Sequence, residues 1–161
     1  MPQGEVGEII TRSRATMSGY LDMPAETARA LHDGWFWGGD LARMDVDGYL
    51  YLAGRSKDMI IRGGENIYPV EIESVIADYP GVTAAAVVGQ PDEHWGEIVV
   101  AFVTAASGAS IDPAALRQFC RQHLATFKVP EVVTVIAEMP LNASGKILKR
   151  ELRARLGATA T

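Results

Sequence analysis

The chain has 161 residues, 48% of them hydrophobic, and a net charge of −5 from 20 acidic against 15 basic side chains. That length suits one domain, or one small domain with a piece of another. The acidic balance excludes a broad nucleic-acid surface, which needs a basic field, and no apolar run is long enough to span a bilayer.

Residues 1 to about 55 read as β-rich and turn-rich. Glu8–Thr11 has the pattern of a short strand, and Pro24–Leu31 that of a short helix. Asp47-Gly48 lies between Leu41–Met44 and Tyr49–Leu52, a strong hairpin signal. The stretch offers no core of its own and reads as the tail of a larger domain. From Ser56 the pattern changes. Pro69 opens a helix with Glu71 and Glu73 in its first turns, where the helix dipole favours anions. Ile72, Val75, Ile76 and Tyr79 recur at helical spacing until Pro80-Gly81.

Val82–Val88 and Ile98–Val103 read as buried strands. Asp112-Pro113 gives an N-cap and a first-turn proline for a second helix, with Leu116, Phe119, Cys120 and Leu124 on its apolar face. Val132–Ile136 is a third strand. A last helix over Ile147–Leu156 puts Leu148, Leu152 and Leu156 on one side, and Lys149, Arg150, Arg153 and Arg155 are read as its solvated face. The Ala-Thr tail after Gly157 is expected to fray. Strict β-α-β alternation is absent, so the fold class is α+β: a small mixed domain of antiparallel sheet with about three helices, preceded by a β-rich tail. The sole cysteine, Cys120, cannot form an internal disulfide, and the start lacks the charged-then-apolar pattern of a signal peptide. A reducing, cytoplasmic setting is expected.

Three motifs stand in fixed order: Gly38-Gly39-Asp40; Gly54-Arg55-Ser56-Lys57-Asp58 running into Gly63-Gly64-Glu65-Asn66; and Pro140-Leu141-Asn142-Ala143-Ser144-Gly145-Lys146. The carboxylate of Asp40 has two acceptor oxygens, enough for two neighbouring hydroxyls such as those of a ribose; taken alone it is a turn aspartate. Arg55 and Lys57 taken alone are an exposed charge cluster in a linker. Adjacent glycines at 63 and 64 permit positive φ and close backbone approach, and read locally as a tight turn between strand and helix. Lys146 on a glycine-flanked turn suits a phosphate or a developing oxyanion. Alone it is a solvated surface lysine. A Walker A loop is excluded, because Pro140 and Ile147 stand where Gly and Ser or Thr are required. His94, in the Gln90–Glu97 stretch, reads as a solvated bystander.

Together, the motifs resemble the C-terminal part of the adenylate-forming enzymes, most of all the AMP-forming acyl-CoA synthetases. The resemblance covers nearly the whole chain. It implies that residues 1–55 are the end of a large N-terminal domain and residues 57–161 the mobile C-terminal domain, with a hinge at Lys57. It gives Lys146 the role of stabilising acyl-AMP formation, and gives Asp40 and Arg55 the nucleotide. Gly63, Gly64 and Glu65 form a loop that meets CoA. Gly38 stands where the family usually carries threonine. The substrates implied are ATP, leaving as AMP, a carboxylic acid and CoA, and the Mg2+ site is expected in the N-terminal part. The family's phosphate loop, acyl pocket and threonine-glutamate motif are not in this sequence, so the isolated chain is expected to be inactive.

Two other readings stay open. One is a non-catalytic binding or regulatory module of the same fold. The other is part of an acyl-AMP ligase or carrier-loading adenylation domain, against which Glu65-Asn66-Ile67-Tyr68-Pro69 tilts. The partners expected are the large domain and, by carry-over, a lysine acetyltransferase acting on Lys146.

Overall fold

The structure, a computed structural model, describes residues 1–158; the expected fraying of the Ala-Thr tail falls largely outside them. The chain divides into two compact units, Met1–Lys57 and a second that begins at Asp58.

The first unit is an antiparallel sheet built on β3 (Trp35–Met44). On one side β3 pairs with β1 (Val6–Thr11), and on the other with β2 (Leu31–His32) and β4 (Leu50–Arg55). Helix α1 (Pro24–Ala30) precedes β2. Asp45–Tyr49 closes the β3–β4 hairpin where Asp47-Gly48 predicted it, and the Asp45 carboxylate accepts from the amides of Asp47 and Tyr49. Only Leu41 and Ala42 are buried in this unit, while Tyr49 and Leu52 stay 69% and 71% exposed. A sheet that leaves such side chains bare has little apolar area to stabilise it.

The second unit is three-layered. Its axis is the antiparallel pair β7 (Val82–Asp92) and β8 (Gly96–Ala105), in register from Ala84↔Thr104 to Asp92↔Gly96. Alternation along this pair divides the apolar side chains between two faces. Val87, Val99, Ala101 and Val103 point to one core with Ile60, Ile67, Ile72, Ile76, Leu116 and Cys120. Ala86, Val88, Val100 and Phe102 point to the other, with Leu152, Ile147 and Met139. A sheet covered on both faces needs the nearly unbroken Val/Ala run that these strands carry.

Helices α2 (Pro69–Ala77) and α3 (Pro113–His123) supply the first cover and α4 (Lys149–Ala158) the second. Asp112 caps α3 as expected, its carboxylate accepting from Ala114 N at 2.9 Å. Cys120 is fully buried, and burial raises its thiol above the ordinary 9.0.

Two features were not legible in advance. Strand β9 (Val132–Val135) runs parallel to β8, against the antiparallel rule of the rest of the sheet. Residues 60–67 form a complete hairpin, β5 (Ile60–Arg62) and β6 (Glu65–Ile67), where the sequence suggested a turn between strand and helix. Three-residue strands are too short to show a period. Pro91 is tolerated because β7 is an edge strand. No helix among the described residues is long and apolar enough to cross a membrane.

The division of burial predicts unequal stability. Leu116→Ala should destabilise the second unit by about 2–5 kcal/mol, seen as a lower denaturant midpoint. Hydrogen exchange of the unaltered chain should show slow amides in β7 and β8 and fast ones in β1–β4; equal protection would contradict this account.

Candidate functional site

In the first unit the structure brings Asp40 and Arg55 together. They are register partners across β3 and β4, and Arg55 Nε donates to Asp40 Oδ1 at 2.9 Å. Both side chains are about half exposed, so the pair contributes only about 0–1 kcal/mol to stability; it sets two polar groups side by side on neighbouring strands. Gly39, just before Asp40, is held by Glu8, whose Oε1 accepts its amide at 2.9 Å. Glu8 was not singled out by sequence reasoning. An open cleft of about 650 Å³ borders this strand and is lined by Glu8, Trp37, Gly38, Gly39, Ser56 and Lys57 among others. Lys57 is exposed in a single 3-10 turn, Ser56–Asp58, where the two units divide.

In the second unit Gly63 and Gly64 are the two central residues of the β5–β6 hairpin, with Arg62 opposite Glu65. Their φ values of 57° and 87° make a type I′ turn, which needs positive φ at both positions. The tip lies against the β7–β8 turn. Gly63 N donates to Trp95 O at 2.8 Å, and a Cβ at position 63 would stand 3.0 Å from Trp95 Cε3. Asp92 organises that turn by accepting from the amides of Trp95 (2.8 Å) and His94 (2.9 Å). Those two amides, Trp95 first, hold its carboxyl below the ordinary 3.8. His94 is exposed and meets Trp95 edge-on at 4.6 Å.

Lys146 ends a turn built by Asn142. The Asn142 Oδ1 accepts from Ser144 N (3.0 Å), Ser144 Oγ (2.9 Å) and Lys146 N (2.8 Å). Asn142 N donates to Lys146 O, and a Leu141↔Ile147 bridge closes the loop. Gly145, at φ 79°, supplies the left-handed residue. The Lys146 ammonium is exposed and has no ion pair or hydrogen bond among the described residues. The turn is rooted through Ile147 in the α4-side core, whereas the glycine hairpin is rooted through Ile60 and Ile67 in the opposite one.

One sequence reading needs correction. Lys149 and Arg153 are not a solvated face: Lys149 pairs with Glu73 at 2.7 Å and Arg153 with Asp58 at 2.9 Å, tying α4 to α2 and to the start of the unit. Their acidic partners lie more than 70 residues upstream, beyond any local pattern.

A three-layer α+β unit that presents a glycine hairpin from one core and a lysine turn from the other has the architecture of the small domain of adenylate-forming enzymes. Residues 71–146 match the sequence model of the AMP-binding enzyme C-terminal domain. The chain is 49% identical over 157 residues to feruloyl-CoA synthase of Amycolatopsis sp., covering 98% of this chain and 32% of that protein. It is 48% identical over 155 residues to the fatty acid–[acyl-carrier-protein] ligase ScoC of Streptomyces coeruleorubidus, with coverages of 96% and 30%. The ATP-bound crystal structure of MatB from Rhodopseudomonas palustris superposes with a TM-score of 0.89 at 40% identity, over 96% of this chain and 31% of MatB. The chain thus spans about a third of the length of the relatives it matches.

Two outcomes are expected. Asn142→Ala removes the acceptor shared by three donors, at about 1 kcal/mol per hydrogen bond lost; amide exchange at Ser144 and Lys146 should quicken by about tenfold or more while β8 amides are unchanged. Because the Asp92 carboxyl is depressed, the order it gives the 92–96 turn is present above pH 3.8 and is lost as pH falls through its lowered value. The amide shifts of His94 and Trp95 should therefore titrate together on that descent; an inflection above 3.8 would contradict the assignment.

Proposed function

We propose that this chain is the C-terminal part of an AMP-forming acyl-CoA ligase, which joins a carboxylic acid to AMP and then to the thiol of CoA. The carrying observation is the rooting of the two motifs in opposite cores of one domain. Elements rooted on opposite sides of one sheet suit presentation to a single active centre in turn. A domain that turns about Lys57 supplies them in succession, which is a hinge change gating two half-reactions.

In the first, the carboxylate attacks the α-phosphorus of ATP and pyrophosphate leaves. Lys146 places an unpaired ammonium on a rigid turn, suited to the charge that builds on carboxylate and phosphate oxygens. Asp40 accepts from the ribose hydroxyls, and Arg55, held against it, adds a cation on the nucleotide side. In the second, the CoA thiolate attacks the acyl carbonyl and AMP leaves. Gly63 and Gly64, bare of side chains, let backbone approach the pantetheine arm closely, with Glu65 beside them.

Among the described residues no three His, Cys, Asp or Glu side chains gather as a metal site. The Mg2+ that the resemblance implies is assigned to the large domain, and no step is routed through it. The large domain supplies the acyl pocket. A carrier-protein thiol in place of CoA is the second reading, supported by the similarity to ScoC. An acetyltransferase acting on the exposed Lys146 would silence the first step. The single buried cysteine fits a reducing, cytoplasmic setting.

The test uses the protein translated from the whole reading frame that carries this chain. ATP–pyrophosphate exchange dependent on a carboxylic acid, followed by acyl-CoA formation, is expected; exchange without transfer to CoA, but with transfer to a phosphopantetheine carrier, would favour the second reading. Lys146→Ala should lower the exchange rate by about 100- to 1,000-fold. Residues 1–161 alone should form no acyl-CoA, and ATP-dependent formation by them would overturn the proposal.

A further inference from the structure

Arg62 is the residue just before the glycine turn, and no motif reading gave it a task. Its side chain is only 14% exposed although it carries a charge. It reaches into the space between three segments that are far apart in sequence. Its guanidinium pairs with Glu131, donates to Phe127 O at 3.1 Å, and lies 5.0 Å from the centre of the Trp95 ring. Its Nε is the single buried side-chain nitrogen or oxygen without a partner among the described residues. Burying an arginine with one donor unpaired costs stability, so the arrangement is poorly explained as a device for folding alone.

The partners of Arg62 are themselves fixed. Glu131 N donates to Val99 O at 2.9 Å, and Arg117 Nε donates to Pro130 O at 2.9 Å, so the 127–131 segment is tied to β8 and α3. Trp95 O holds Gly63 N. The turn beyond Arg62 has no side chains of its own with which to hold its position, and two adjacent glycines are the most freely moving pair a chain can carry. Arg62 is therefore the nearest side chain able to fix where the tip stands.

We infer that Arg62 is a positioning residue for transfer to the thiol: it clamps the Gly63-Gly64 tip against Trp95 and the 127–131 segment, and it takes no part in adenylation. This rests on the proposed function of the hairpin. A guanidinium is required because its planar fork serves a carboxylate and a carbonyl at once while its face meets the indole; a lysine ammonium lacks that geometry.

The experiment measures both half-reactions on the protein translated from the whole reading frame, unaltered and as Arg62→Ala, Arg62→Lys and Glu131→Ala, with the melting temperature of each. Arg62→Ala should slow acyl transfer from the adenylate to CoA by about 10- to 100-fold, as misplacement of a positioned group does, and raise the KM for CoA. Carboxylate-dependent ATP–pyrophosphate exchange should stay within about twofold of the unaltered protein, a split that loss of folded protein cannot produce. Arg62→Lys should not restore the transfer, and Glu131→Ala should show the same split to a smaller degree. If both half-reactions fall together, or neither falls, or Lys restores transfer, the inference is overturned while the proposed function stands. If the unaltered protein catalyses no exchange, the proposed function fails and the inference falls with it.

Discussion

Everything in the second unit hangs on the β7–β8 pair. The two strands run in register from Ala84↔Thr104 to Asp92↔Gly96, and the strict alternation of their side chains creates two cores rather than one. A slip of one residue would exchange the two sets and present each helix with the wrong face. The Val/Ala composition fits this demand, since each strand must be apolar on both sides and small enough for helices to approach closely. Phe102 is the one large side chain among the buried residues of the pair.

The two-core arrangement determines where chemistry can be placed. The β5–β6 hairpin leaves the α2–α3 core and ends in two glycines beside Trp95, while the Asn142 turn leaves the α4 core and ends in Lys146. Three ion pairs fasten the covers: Glu71 with Lys128, Glu73 with Lys149, and Asp58 with Arg153. Glu73 also accepts from Val87 N at 2.8 Å, so one carboxylate joins α2, β7 and α4. The two motifs are thus displayed from a body fastened as one piece, which suits movement of that body rather than of either loop.

Much of this was legible in the sequence because it is local. The helix that begins at Pro69, the Asp112 cap, the Asp47-Gly48 hairpin and the leucine stripe of the last helix each follow from periodicity or turn chemistry within a few residues. Asp40, Arg55 and Lys146 were also legible as candidates, since each sits in a short motif in a recognisable order, and their chemistry stands as proposed. What escaped was pairing over distance. Nothing near Ile60 announces that Arg62 will meet Glu131, and nothing near Leu148 announces that Lys149 will find Glu73. The one available sign was chemical: Arg62 is a cation at the end of an otherwise apolar strand, where a buried partner is the cheapest explanation. Glu8 gave no sign at all, because a glutamate next to a strand is ordinary.

The most direct test of the account is whether Lys146 serves one half-reaction only. A Lys146→Ala form of the whole-frame protein is given preformed acyl-adenylate and CoA, and thioester formation is followed in a single turnover. The account predicts that transfer proceeds at close to the unaltered rate although formation of the adenylate from ATP has collapsed. Loss of both activities together, in a protein that remains folded, would contradict the division of labour between the lysine turn and the glycine hairpin.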